Sequence, residues 1–220
     1  MSSRSAGGYP TPTGAEAEFQ PGSRGRVLVN KLGISRKREI DQAEFEALLA
    51  AQSRHLSIIG TRTRFSSALL RRMHKDWLGS IYSWAGEYRT VNLTKGGFTW
   101  PSASRVAENM FNFERELLTE HTPCTPGPIS QVAKRMAVVH AEFLLIHPFR
   151  DGNGRLARWL ADLMALQAKF PPPHYRFTGR GGRARRDRYL NAVQAGYLQD
   201  YGALTDFFAE ALDRIVTRGA

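Results

Sequence analysis

The chain has 220 residues, 42% of them hydrophobic, with four Trp and twelve Phe, enough to bury one core and too apolar for a disordered polymer. A lone cysteine, Cys124, excludes an intrachain disulfide and points to a reducing compartment. The formal net charge of +11 fits a soluble basic surface or affinity for phosphate-rich ligands, and charge alone does not separate the two.

No apolar run is long enough to span a membrane, and the N-terminus lacks an apolar signal core. A cytoplasmic protein is therefore expected, although a specialised effector-export route would leave no such mark. Residues 1–26 are rich in Gly, Pro and Ser and show no period, which reads as a mobile tail ahead of a single domain over 27–220. After the short apolar stretch VLVNKLGI, helical spacing starts at Asp41. Phe45, Leu48 and Leu49 share a face, and Asp41 and Glu44 form the acidic helix start. A second helix starts near Ser66 or Ser67 and carries Leu69, Leu70, Met73, Trp77 and Leu78. Trp77 and Trp84 read as core.

The stretch YRTVNLTKGGFTWP changes character. Val91, Leu93, Thr94, Phe98, Thr99 and Trp100 favour strand around Gly96-Gly97, which reads as a β-hairpin closed by Pro101. Ser102 or Ser104 can cap the helix that follows, with Val106, Met110, Phe113 and Leu117 inward. Helix resumes near Ser130, runs through VAKRMAVVHAEFLLI, breaks at a charged loop, and continues through LARWLADLMALQA to the prolines at 171–173. RARRDRYLNAVQAGY and YGALTDFFAEALDRIV supply two last helices. The fold class is mainly α, a helical bundle with one small hairpin.

The broken point, HPFRDGNGRLAR, concentrates the chemistry. Gly152 can adopt positive φ, Asn153 is a candidate N-cap, and the free N–H groups of the following helix start form an anion site. Gly154 leaves the backbone open to close approach. Arg155 and Arg158 are three residues apart, on one side of the first turn, and suit an oligophosphate. Asp151 beside this cradle is a candidate Mg²⁺ ligand, because Mg²⁺ favours one or two carboxylates plus phosphate oxygens. His147 is the nearby group suited to taking a proton near neutral pH. A calcium loop fails at Arg155 and Leu156, and a Walker loop fails for want of Gly-Lys-Ser/Thr.

Residues 147–158 resemble the complete signature of the Fic family, H-x-F-x-[DE]-G-N-G-R-x-x-R. NKLGI, IYSWAGEYRTVNLTKGGF and YLNAVQAGYLQDYGALTDFF extend the resemblance over about Asn30 to Ala211. It implies a Fic fold that transfers AMP from ATP, with Mg²⁺, to a Tyr, Thr or Ser hydroxyl of a target protein. By the resemblance His147 is the base and Phe149 the loop anchor. Asp151 holds the metal, and Gly152, Asn153 and Gly154 cradle the phosphates. Arg155 faces the β-phosphate and Arg158 the γ-phosphate. Gly97 and Phe98 of the flap and Tyr189 near the adenine join the nucleotide contacts, and Lys95 and Phe98 clamp ligand or target, although an ordinary hairpin with solvated Lys95 and packed Phe98 is as good a reading. For Tyr189 a plain core position is as good a reading. The flap over 90–100 is expected to pair with the target as an added strand. The Doc branch, a kinase, carries lysine where Gly154 stands, so GNGR favours AMP transfer. A non-catalytic scaffold that binds nucleotide or a partner is the alternative from another class, and it has no need of His147.

His140, seven residues before His147, reads as a packed, hydrogen-bonded histidine. The Arg180–Arg188 cluster reads as a solvated loop, and no nucleic-acid reader motif accompanies it. Many Fic proteins are restrained by S/T-x-x-x-E-G/N, whose glutamate pairs with the second motif arginine. Here Ser35–Ile40 fails at its last position and nothing after Phe208 matches. Ser104–Asn109 matches, but on a helix whose buried face is already assigned, so Ser104 reads as a cap and Glu108 as solvated. A separate antitoxin-like inhibitor is expected, as in a toxin–antitoxin pair.

Overall fold

The computed structural model describes residues 16–216, with side chains through Asp213. Helix α1 spans Lys37–Leu56 and α2 Ser67–Leu78. The hairpin is minimal: β1 (Thr94–Lys95) and β2 (Phe98–Thr99) pair antiparallel, Thr94 opposite Thr99 and Lys95 opposite Phe98. Helix α3 (Val106–Asn112) runs on through a π-helical turn, Phe113–Leu118, into α4 (Thr119–His121). Then come α5 (Ile129–Ile146), α6 (Asn153–Gln167), α7 (Gly182–Gly196) and α8 (Gly202–Val216). The expected fold class, mainly helical with one small hairpin, is the one observed.

Helix α5 is the axis, packed against α6, α7, α8 and the helical run after the flap. It buries Val132, Met136, Val139, Phe143 and Leu144 on several sides, as a helix enclosed by others must. Ser66 starts α2 by accepting the Leu69 N–H at 3.1 Å.

Three local expectations change. Helix α1 begins at Lys37, and its inward face is Ile40, Glu44, Ala51 and His55, whereas Phe45 and Leu49 are 53% and 51% exposed. Apolar spacing misled here because a carboxylate with partners from other elements occupies the buried stripe. Ser102 and Ser104 do not cap α3: their hydroxyls meet each other at 3.0 Å, and the Asn92 side chain accepts the Ala103 N–H at 2.9 Å. Of the tail expected over 1–26, residues 1–15 lie outside the described residues, while 16–26 fold back onto the domain. Phe19 bridges to Leu28, the Glu16 carboxylate accepts the Thr90 N–H at 2.7 Å, and Arg150 donates to the Glu16 carbonyl at 2.5 Å.

Candidate functional site

Helix α5 ends where the charged loop begins. His147 closes it in the left-handed conformation (φ 52°), its N–H donating to the Phe143 carbonyl at 3.0 Å. Its Nδ1 faces the Leu144 carbonyl at 3.1 Å. A carbonyl only accepts, so Nδ1 carries the proton and Nε2 keeps its lone pair. The Leu144 carbonyl also accepts from Trp100 Nε1 at 3.0 Å, and the Trp100 ring lies 4.1 Å from the imidazole. Burial depresses the His147 pKa to about 4, so the ring is neutral at pH 7.

Arg89 locks this corner. Its buried guanidinium donates to the carbonyls of His147 (2.7 Å), Val91 (2.9 Å), Pro101 (2.6 Å) and Ile146 (3.4 Å). One cation therefore joins the flap's two ends to the C-terminus of α5, where a positive charge also suits the helix dipole.

The loop itself is held from below. Phe149 is fully buried and stacks on His74, centroids 3.9 Å apart. His74 accepts the Gly86 N–H at Nδ1 (2.8 Å) and donates from Nε2 to the Asp151 carbonyl (3.1 Å), and burial lowers its pKa to about 4. Asn153 is not the N-cap: that position is Gly152, at φ 83°. The Asn153 amide instead turns back, accepting the Phe149 N–H at 2.9 Å and donating to the Phe149 carbonyl at 2.7 Å. It closes the loop into a ring. The N–H groups of Asn153 and Gly154 open α6, ahead of any carbonyl one turn earlier, and so remain for an anion.

These elements enclose a cleft of about 490 Å³. His147, Asp151, Gly152, Asn153, Gly154, Arg155 and Arg158 line one wall, and the flap's Lys95, Phe98 and Trp100 another. The third is the face of α7 that repeats at helical spacing, Arg186, Leu190, Val193, Gln194 and Tyr197, with Tyr189 and Phe177 behind it. The lining thus combines cations, Lys95, Arg155, Arg158 and Arg186, with apolar and aromatic side chains. Phe98 packs 4.9 Å from Tyr197, so the flap rests on α7. Gly97 is not among the lining residues; it forms the hairpin turn with Gly96, both at positive φ.

The two loop arginines are held differently. Arg155 donates to Glu44 of α1 at 2.5 Å and lies over Trp77 at 4.7 Å. Arg158 lies near the rings of Tyr175 and Phe177, at 6.0 and 5.9 Å. Asp151 is 53% exposed at the cleft, with Oδ1 accepting the Gly152 N–H at 2.5 Å.

Residues 64–165 match the model of the Fic/DOC family. Over that span the chain is similar to the Fic/DOC family. A protein adenylyltransferase of Caenorhabditis elegans, fic-1, is 37% identical over 101 residues, 46% of this chain and 19% of that protein. Protein adenylyltransferase Fic of Drosophila yakuba is 37% identical over 143 residues, 64% of this chain and 27% of that protein. The chain thus spans about a third or less of these relatives. Among solved structures, BepC of Bartonella tribocorum, a VirB-translocated effector with bound AMPPNP, superposes with a TM-score of 0.67 at 18% identity. That match covers 89% of this chain and 96% of BepC, and shows a shared fold.

Tyr189 is both buried and cleft-lining: its hydroxyl donates to His140 Nε2 at 2.6 Å. His140, whose Nδ1 faces the Ala157 carbonyl at 3.2 Å, is the packed histidine expected. Glu108 pairs with Arg105 at 3.3 Å and does not reach Arg158. The arginine cluster is not a loose loop from Gly182 onward: Arg185 pairs with Glu210 at 2.9 Å, Arg188 bonds the same carboxylate, and Arg186 reaches the cleft. Arg89 and His74 drew no reading, and Glu44, Trp100 and Arg186 no role at the site, from the sequence. Only Arg186 left a signal there, its spacing with Leu190, Val193 and Tyr197.

Proposed function

We propose that this protein is a protein adenylyltransferase that moves AMP from ATP to a Tyr, Thr or Ser hydroxyl of a target protein. The observation that carries the reading is the imidazole of His147, with its Nε2 lone pair free, on the same cleft as a helix N-terminus and two arginines. The target oxygen attacks the α-phosphorus, the bond from that phosphorus to the α–β bridging oxygen breaks, and pyrophosphate leaves. His147 Nε2 takes the hydroxyl proton. The Asn153 and Gly154 N–H groups, Arg155 and Arg158 hold phosphate charge, and the apolar face of α7 takes the base. The relatives' names support AMP transfer, and BepC with AMPPNP supports an ATP-like ligand.

Asp151 fits Mg²⁺: it is a half-exposed carboxylate beside the cradle. Among the described residues no group of three acidic, His or Cys side chains forms a metal cage, as suits an ion completed by phosphate and water. When bound, Mg²⁺ neutralises charge on the phosphates. The target lies along the flap as an added strand. Control falls to a separate antitoxin-like protein in the cytoplasm; Glu108, in the one full match to the brake pattern, lies at the surface beside Arg105.

The test is labelling of a cell lysate with α-labelled and γ-labelled ATP in parallel, using wild type and His147→Ala. Label from the α-position on a protein band, absent with His147→Ala, is the expected result. Label from the γ-position instead means a Doc-like kinase, and none from either means a binding scaffold. Expressed alone, wild type should slow growth, and Glu108→Gly should behave as wild type.

A further inference from the structure

We propose that Glu44 is a positioning residue for the phosphate cleft, acting on nucleotide only through Arg155. The inference rests on reading the cleft as a nucleoside triphosphate site. Glu44 lies on α1, far from the loop in sequence, and its carboxylate is 5% exposed. A buried carboxylate is costly unless its oxygens are met. Here both are: Oε2 accepts from Arg155 Nη1 at 2.5 Å, and Oε1 accepts from the Tyr82 hydroxyl at 2.5 Å.

The same residue fixes the surface on which the arginine rests. The Glu44 carbonyl accepts from Trp77 Nε1 at 2.9 Å, and Arg155 lies 4.7 Å over the Trp77 ring. One edge of the guanidinium is thus on the carboxylate and one face on the indole. Its Nη2 stands 3.8 Å from Asp151 Oδ1, on the cleft side, and the side chain is 29% exposed. An unsupported arginine would lose rotamer freedom when it met phosphate, and one already held loses less. A tether that merely ties α6 to α1 would not need to place a second nitrogen beside Asp151 on the cleft.

The two roles differ in what they predict for affinity. Glu44→Gln keeps an acceptor for Arg155 and can turn its amide toward the Tyr82 oxygen, while removing one negative charge. Glu44→Ala removes the support. Affinity for a non-hydrolysable fluorescent ATP analogue with Mg²⁺ is measured for wild type, Glu44→Gln, Glu44→Ala, Arg155→Ala and the Glu44→Ala/Arg155→Ala pair, each checked for fold by circular dichroism. Glu44→Ala should bind about tenfold more weakly, in keeping with the cost of a misplaced binding group. Glu44→Gln should stay at or above wild-type affinity, and the pair should match Arg155→Ala. Should Glu44→Ala not fold, Glu44→Asp takes its place, since it keeps the charge but withdraws it from Arg155 by one methylene. Wild-type affinity in Glu44→Ala overturns the proposal. So does an equal further loss in the Arg155→Ala background, or a Glu44→Gln as weak as Glu44→Ala. A wild type that binds no analogue overturns the nucleotide reading, and this inference with it.

Discussion

Gly152 and Gly154 are two residues apart in one motif, yet the structure assigns them opposite tasks, which a pair of alanine substitutions separates. At Gly152, φ is +83°, and a methyl would stand 2.9 Å from Trp77 Cζ3 and 3.3 Å from His74 Nε2. Neither neighbour can yield: Trp77 is fully buried and tied to the Glu44 carbonyl, and His74 is stacked on Phe149 and bonded at both nitrogens. The left-handed backbone costs an alanine about 1–2 kcal/mol. The forced repacking adds about 1–3 kcal/mol. Gly152→Ala should therefore lose about 2–5 kcal/mol, a large share of the ~5–15 kcal/mol typical of a domain. At Gly154 the same methyl meets only Arg158 Nη1, at 3.7 Å, within ordinary helical backbone. Alanine there should hold or gain about 0.5–1 kcal/mol. It would, however, place a methyl where an anion must approach the helix N-terminus, and nucleotide affinity should fall about tenfold or more. Urea unfolding followed by circular dichroism and analogue binding read the two quantities. Equal destabilisation by both changes, or a Gly152→Ala within about 1 kcal/mol of wild type, would refute the assignment, since loss of a real left-handed constraint cannot be that small.

Arg89→Met keeps the bulk and strips four carbonyl contacts, so it should cost about 3–6 kcal/mol and loosen the flap, seen as faster proteolysis around 90–101; an unchanged urea midpoint would refute this. Trp100→Ala lets water reach His147, so the depressed imidazole pKa should rise from about 4 toward 6.5. The acid limb of the transfer rate should move up with it, and a stationary limb would count against the indole's role. Stability should also fall in mild acid. His74, His140 and His147 are pushed by burial to about 4, 3 and 4, so between pH 6.5 and 4 the unfolded chain binds protons that the folded one refuses. Burial raises Asp162 to about 7, which acts in the opposite sense, since the folded state then keeps a proton that the unfolded one releases. Three groups against one leave a net loss of up to about 3 kcal/mol per pH unit on acidification through that window. A thermal midpoint that stays flat from pH 7 to pH 5 would contradict it.

What the sequence by itself determined lies within short reach along the chain. The order of helices followed from apolar spacing and breakers, and the loop's chemistry from twelve contiguous residues, because a helix start and a tight turn are built by near neighbours. Even the closing of Asn153 onto Phe149 spans four residues, although the amide serves as a clamp where a cap was expected. What the tertiary structure decided is who meets that loop from elsewhere. Phe45 and Leu49 stand exposed and Glu44 lies buried because Arg155 and Tyr82, from other elements, satisfy its carboxylate. Arg89 becomes a structural cation because four carbonyls converge on it. His74 and Trp100 gain their places by resting on Phe149 and His147. Periodicity ranks residues by polarity, and a polar side chain is buried only where partners brought in by packing repay its desolvation, so that choice belongs to the fold.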